Sequence, residues 1–567
     1  MRTFSLVAAI LSLIFTSCQN SSTEPIRAKS PNILWLVAED LSPYLPMFGD
    51  STIETPNLSR LAGEGVRYTR FFSVNGVCAP SRAAICTGMY PSSIGANHMR
   101  VQWNRDFLEG LGLKLYECVP PPQVKMMSQI LREHGYYCSN NSKTDYQFVP
   151  NETAWDESSV FVHWRNRSPG QPFFAIFNFD VTHESQIFGP YHRYVLRFNQ
   201  NFPGDREKDG PGYQGDVDSS DWYWNVPLDL PVNVPPYLVD DSLTRMDVRR
   251  NYSNIIEMDK QVGVILDQLE KDGLLDQTIV VWYTDHGGPL PREKRLLYDS
   301  GLRVPMIIRF PDGRGAGTID SQMISFVDLA PTAFSWAGIQ PPDWIQGQAF
   351  DGPFQAAPRK YIYAASDRFD SEYDRIRAVR DVRYKYLLNL MPDQGYYLPV
   401  AYRENMNSMQ SLLHGRDQGT LDEWQAQWFR TSKPKEELFD TWQDPNEFHN
   451  LAADPEYADK LEEMRQACAT WQEEYGDLGL IPEGELLERF WPGRVQPVTA
   501  DPVITVAHDD LTLSSSTEGA QIGYRKAGSE GPWMPYLKPL HRQEGPWEFV
   551  AHRIGYKPSG VVSYPPE

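Results

Sequence analysis

Four stretches of strand length are apolar almost without interruption: Asn32-Ile-Leu-Trp-Leu-Val-Ala38, Phe173–Asn178, Thr278–Tyr283 and Val304–Arg309. A strand with one wet face alternates apolar and polar residues. A continuous run must be covered on both faces, as in a parallel sheet between layers of helices. Between the second and third runs, Met246–Leu269 carries a helical pattern with Ile255, Ile256, Val262, Ile265, Leu266 and Leu269 on one side. Strands alternating with helices predict an α/β fold with a mostly parallel sheet flanked by helices. Ligands in such sheets sit beyond the carboxyl ends of the strands.

At 567 residues the chain is too long for one core, and its character changes twice. Arg375–Leu387 alternates with a period near two, Glu437–Asp440 reads as a strand, and Pro455–Tyr475 is helical in pattern. From about residue 495 the chain becomes short alternating runs, Val503–Val506, Ala520–Tyr524 and Phe549–Tyr556, with Gly and Pro turns between them. The expected organisation is a large α/β domain over 31–345, a smaller antiparallel-sheet subdomain over 346–494, and a small all-β appendage over 495–567.

The N-terminus has Arg2, then an apolar run from Phe4 to Phe15, too short to span a bilayer and laid out like a secretion signal. Thr16-Ser17-Cys18, followed by the polar Gln19–Glu24, resembles a lipoprotein processing site. The expectation is a signal peptide over 1–17, lipidation of Cys18 and a tether over 18–30. The protein would be exported to the periplasm or anchored in the outer membrane as a lipoprotein, touching membrane only through the lipid. Export also permits one or two disulfides among Cys86, Cys118, Cys138 and Cys468, whose spacing fits no zinc pattern. The balance of 53 basic and 74 acidic side chains, net −21, argues against nucleic acid and against a basic membrane face. A polyanionic substrate would need a locally basic site, for which Arg82, Lys143, Arg292, Lys294 and Arg295 are the candidates.

Polar clusters follow the predicted strands. Glu39-Asp40 ends the first run and Asp285-His286-Gly287-Gly288 the third. Paired carboxylates at strand ends supply the hard oxygen ligands that calcium takes, and the glycines are expected to let backbone approach a ligand. Cys78-Ala-Pro-Ser-Arg82 sets a cysteine beside a proline bend and a fixed positive charge, with a helix expected from Ser81 to Thr87.

Taken with Thr87-Gly-Met-Tyr-Pro91, Tyr298-Asp-Ser-Gly-Leu-Arg-Val-Pro305 and the Leu438-Phe-Asp440 to Asn450-Leu-Ala452 stretch, these motifs resemble, in order, the type I formylglycine-dependent sulfatases. The resemblance implies an alkaline-phosphatase-like fold, oxidation of Cys78 to formylglycine by a formylglycine-generating enzyme, and one bound Ca2+. It implies Glu39, Asp40, Asp285, His286 and the modified Cys78 as metal ligands. Glu39 stands where aspartate is commoner, and His286 where asparagine is frequent. Lys143 and Lys294 would bind the sulfate, and Arg82 would hold the hydrated aldehyde. His183, in Thr182-His-Glu-Ser185, would act with Lys294 on the leaving oxygen. His98 and Arg100, shortly after the nucleophile, are further substrate-binding candidates.

Asp145 replaces the family's usual histidine in Asn141-Ser-Lys-Thr-Asp145. Turnover through a geminal diol needs a base to deprotonate its second hydroxyl, and Asp145 or His98 is the candidate. The expected substrate is a sulfated polysaccharide or its oligosaccharides, of ulvan, carrageenan or heparan type. Alternatives are an N-sulfatase acting on glucosamine N-sulfate, a phosphodiester or phosphonate hydrolase of the same superfamily, and a non-enzymatic glycan-binding lipoprotein.

Overall fold

The computed structural model describes residues 30–99, 101–102, 105–188 and 224–566. The signal peptide, Cys18, the tether up to residue 29, and Arg100 lie outside the described residues.

The central sheet is built from β1 (Asn32–Ala38), β2 (Val66–Phe72), β3 (Tyr137–Asn141), β4 (Glu157–Ser158), β5 (Phe173–Phe179), β6 (Thr278–Thr284), β7 (Arg303–Arg309), β8 (Ile319–Asp320) and β9 (Ile324–Ser325). Their order is β4-β3-β5-β1-β6-β7-β2-β8, with β9 also pairing with β2. Every pairing is parallel except those of β7, which runs antiparallel to both β6 and β2. The Val304–Arg309 run is therefore a doubly covered strand of opposite direction, because burial on both faces fixes the apolar pattern without fixing polarity.

Side chains of β1 alternate between two cores, Ile33, Trp35 and Val37 in one and Leu34, Leu36 and Ala38 in the other. The first is closed by the helix Cys78–Thr87, through Ala83, Ala84 and Ile85, and the second by the helix Ser242–Lys271, through Ile255, Met258, Val262 and Leu266. Ile256 of the predicted stripe packs only at the margin of that core. The Cys78–Thr87 helix begins three residues earlier than the proline suggested. Pro80 sits within its first turn, where the N–H it lacks would have had no helical acceptor.

A second sheet, β10 (Ile362–Ser366), β11 (Ile376–Arg380), β12 (Tyr384–Asn389) and β13 (Glu436–Asp440), is antiparallel throughout. One face receives Met464, Ala467 and Cys468 of the helix Ala458–Tyr475, and Ala364, Ala378, Leu387 and Phe439 join the core shared with the Ser242–Lys271 helix. Strands between Val503 and Tyr564 form two further antiparallel sheets of three and four strands. They are tied to the stretch that leads into and out of β3, where Arg132 donates to the Trp533 carbonyl (3.0 Å) and Asn151 to that of His552 (2.6 Å). Cys78, Cys86, Cys118, Cys138 and Cys468 are all buried and free, so the disulfides that export would permit do not form among the described cysteines.

Candidate active site

β5, β1 and β6 lie side by side in parallel, so Phe179, Ala38 and Thr284 end next to one another. The chains leaving them, Asp180–Ser185, Glu39-Asp40 and Asp285-His286, are laced by hydrogen bonds. The Glu39 N–H donates to Thr182 Oγ1 (3.1 Å), the Asp40 N–H to Asp285 Oδ1 (3.2 Å) and the Glu184 N–H to Asp40 Oδ2 (2.7 Å). Asp40 adopts φ 44°, a left-handed conformation that costs energy in any residue but glycine and is held here by those bonds.

A cation fits this lacing. His286 Nδ1 lies 2.9 Å from the Gly287 carbonyl, which assigns the ring proton to Nδ1 and leaves Nε2 as a lone pair. That lone pair faces Asp40 Oδ1 at 2.9 Å and Asp285 Oδ1 at 3.8 Å. Neither His286 Nε2 nor Asp40 Oδ1 has a hydrogen-bond partner among the described residues, although both are buried. Acceptors converging at these separations repel unless a positive ion lies between them, so Asp40, Asp285 and His286 form a candidate cation site. The site's glycines do other work than expected. A Cβ on Gly287 would lie 2.2 Å from the Ser300 carbonyl and one on Gly288 2.0 Å from Glu293 Oε2, so what approaches them is the chain itself.

Positive side chains interleave with these carboxylates. Arg82 donates from Nε to Asp285 Oδ2 (3.0 Å), from one terminal nitrogen to Asn178 Oδ1 (2.7 Å) and from the other to Glu39 Oε1 (3.2 Å). Lys143 donates to Glu39 Oε2. Glu39 is thereby turned toward two cations, while Asp40, Asp285 and His286 make the tight group. Burial pushes the Glu39 carboxyl up, with Lys143 and Arg82 pulling against it. Burial would also raise Asp40, but above all the Lys294 charge holds it well below the usual carboxylate range.

Cys78 is the first residue of its helix, buried beside this group. Burial, and then the charge of Asp145, pushes its thiol up, against Lys143 and Lys294. An inert, protonated thiol at this place is a poor nucleophile as it stands. An open cavity of roughly 440 Å³ borders the group, lined by Glu39, Lys143, Asp145, His183, Gln186 and Tyr402 among others. In it His183 Nδ1 meets Ser185 Oγ (2.9 Å) and Nε2 faces Lys294 Nζ (3.4 Å). Burial, then the Lys294 charge, brings the imidazole down to about 3, so it is neutral at ordinary pH.

The structure thus brings together Glu39, Asp40, Cys78, Arg82, Lys143, Asp145, His183, Asp285, His286 and Lys294. It does not bring in His98, whose Nδ1 accepts from the Arg368 N–H (3.3 Å) and whose ring packs on Tyr373. Its neighbours Arg368 and Glu483, the latter the first residue of the helix Glu483–Phe490, form a buried pair.

The family model described as Sulfatase matches residues 31–339. An ulvan-active sulfatase of Formosa agariphila is 51% identical over 552 residues, covering 95% of this chain and 92% of the relative. The chain belongs to the sulfatase family. A second family model, N-sulphoglucosamine sulphohydrolase, C-terminal, matches residues 292–412 of the sulfatase. The human N-sulphoglucosamine sulphohydrolase is 25% identical over 505 residues, 83% of this chain and 96% of its own. A protein solved with its substrate D-glucosamine-2-N,6-O-disulfate shares the fold, with TM-score 0.53 and 21% identity over 79% of this chain and 98% of that one.

The sulfatase holds one residue at its centre that its motifs did not single out. Glu184 is buried and takes Arg295 in a two-pronged pair, both contacts 2.8 Å, while its Oε1 lies 3.0 Å from Lys294 Nζ. Its place beside His183 in the Thr-His-Glu-Ser motif was the available signal. A lone acidic residue in a loop carries no mark of burial, so only the fold revealed it.

Proposed function

We propose that this sulfatase hydrolyses sulfate esters of a sulfated polysaccharide or its oligosaccharides, of ulvan type, through a formylglycine made from Cys78. The observation that carries the reading is that the charges of Lys143 and Lys294 act on buried Cys78, with Lys143 and His183 lining an open cavity and Lys294 facing His183, beside the unsatisfied Asp40–His286–Asp285 group. The ulvan assignment draws on the extent of the likeness to the Formosa sulfatase. The reading on glucosamine N-sulfate draws on the C-terminal family match and the more distant human relative, and stands second.

Asp40, Asp285 and His286, with Glu39 at the edge, would hold a calcium ion, which when bound supplies charge neutralisation at the attacking oxygen. The hydrated aldehyde would supply the attacking hydroxyl and a second hydroxyl through which sulfate is expelled. Lys143 and Lys294 flank the place where sulfate charge spreads, and donors fixed before the reaction are worth most in a water-poor site. His183 and Lys294 face the side from which the sugar oxygen departs. Arg82, with three nitrogens given to Glu39, Asp285 and Asn178, holds the carboxylates apart and in place. With His98 turned away, Asp145 on the cavity wall is the base we assign to the second hydroxyl. Asp145→Asn should stall turnover after a single release of the sugar, and wild-type turnover in that variant would remove Asp145 from the role.

The deciding experiment is sulfate release by ion chromatography from ulvan, carrageenan and heparin oligosaccharides, using protein co-expressed with a formylglycine-generating enzyme and a Cys78→Ala control. Release from ulvan fragments alone, abolished in the control, is expected. Release from heparin fragments alone would favour the N-sulfatase reading, and turnover of phosphate diesters or phosphonates alone would favour the phosphohydrolase. An unconverted cysteine by mass spectrometry, after co-expression, would favour a glycan-binding protein. Export as a lipoprotein is part of the same proposal, tested by incorporation of labelled palmitate that Cys18→Ala abolishes.

A further inference from the structure

We propose that Glu184 is the positioning residue for Lys294, fixing which of its N–H bonds faces the departing oxygen of a sulfate ester; this rests on the sulfatase reading above. An ammonium group has three N–H directions and rotates freely about its last bond unless its acceptors are fixed. Here Asp40 Oδ2 accepts one at 2.6 Å, Glu184 Oε1 pairs with the charge from 3.0 Å, and His183 Nε2 faces the group at 3.4 Å. Both carboxylates are fully buried. With one N–H bonded to Asp40 and a second carboxylate, Glu184, drawing the charge from another loop, the direction that faces His183 is no longer a free choice.

Glu184 can do this because it is itself held from two sides. Its backbone N–H is bonded to the same Asp40 Oδ2 that binds Lys294 (2.7 Å), so carboxylate, lysine and loop form one closed ring of contacts. Arg295 grips its side chain at both oxygens. The Arg295 backbone N–H is in turn pinned to the Gly76 carbonyl (2.7 Å), two residues before Cys78. That bond ties the turn carrying Lys294 to the segment carrying Cys78, with Glu184 between them. Arg295 also holds φ 78°, so the turn that presents Lys294 is strained and depends on these contacts.

In the reaction itself, sulfur gains a bond to the attacking oxygen of residue 78, whose proton passes to solvent. The bond from sulfur to the sugar oxygen breaks, and its electron pair stays on that oxygen. The oxygen takes the proton of the Lys294 N–H on the His183 side, and the amine regains a proton from solvent. Help of this kind matters in proportion to the basicity of the leaving oxygen. A sugar alkoxide needs it, whereas a nitrophenolate departs with little assistance.

The test compares wild type, Glu184→Asp and Glu184→Gln on ulvan oligosaccharides and on 4-nitrophenyl sulfate. Rates are taken per mole of aldehyde at residue 78, measured by mass spectrometry, with thermal melting as the check on folding. For Glu184→Asp, which keeps the charge but withdraws it by one methylene, kcat on the oligosaccharides should fall roughly 100-fold. On 4-nitrophenyl sulfate it should fall less than about 5-fold, with KM little changed on either. Glu184→Gln should show the same split; it also strips Arg295 of its main partner, so if it does not fold, the Asp variant decides. Equal losses on both substrates, or no loss on the oligosaccharides, would overturn the positioning role. Wild type with a converted residue 78 that releases sulfate from neither substrate would overturn the sulfatase reading itself, and this inference with it.

Discussion

Glu184 and Glu293 are both fully buried, and both adjoin Lys294, yet they live in opposite chemical states. Burial would raise the Glu184 carboxyl, but Arg295 and Lys294 hold it well below the usual range. Glu293 meets no such cation among the described residues. Burial dominates there, softened by hydrogen bonds from Tyr44 and Tyr237, and the carboxyl is pushed up to about 7. The turn runs Glu293-Lys294-Arg295, with Arg292 at φ 68° and Arg295 at φ 78°. Neighbouring residues are thus thrown to opposite sides, one a charged lattice and the other a tyrosine-lined pocket. Burial alone does not set the charge of a carboxylate; the partners that the fold supplies do.

The strongest way to break this contrast is to remove the cation from the charged side. Lys294→Met leaves Asp40 and Glu184 short of a partner in the interior. It should lower turnover by at least about a thousandfold and destabilise the protein by about 3–5 kcal/mol, read from sulfate release and denaturant unfolding. Next in size is withdrawal of the metal. EDTA should lower the melting temperature, and added calcium should restore it along a saturable curve, about 4 kcal/mol at a thousandfold excess over Kd. A melting curve indifferent to both would remove the cation from the Asp40–His286–Asp285 group.

The neutral side is sharpened by pH. Glu293 titrates near 4.5 when unfolded and near 7 when folded, so the folded protein binds more protons between those values. The stability that comes from the neutral carboxyl is present in full below pH 4.5 and is lost as pH rises to 7. Glu293→Gln should remove a loss of about 3 kcal/mol between pH 5 and 8, seen as a flatter pH dependence of melting. An unchanged slope would mean that Glu293 is charged in the fold. Smallest is Tyr44→Phe, which deletes one hydrogen bond to Glu293 and should cost about 1 kcal/mol while leaving turnover within about twofold.

Much of the fold was legible because double-sided burial leaves a continuous apolar run, and β1, β5 and β6 fall where those runs fall. The direction of β7 was not, since an apolar run looks the same read either way. The site was legible as motifs. Glu39-Asp40, Cys78–Arg82 and Asp285-His286 are local strings tied to strand ends or a helix start. His98 shows the limit of that approach: its position after the Cys78 helix suggested the site, and the chain instead turns it toward Arg368 and Glu483.

By itself the sequence determined the layered α/β architecture and the identity of the groups at the strand ends, because both depend on patterns spanning a few residues. Which carboxylates face a cation and which face a tyrosine was decided only when Glu184, Asp40 and Arg295 met across 111 and 144 residues of chain. Those meetings are set by the sheet's strand order and by close contacts among buried charges, and neither is written in any local stretch of the chain.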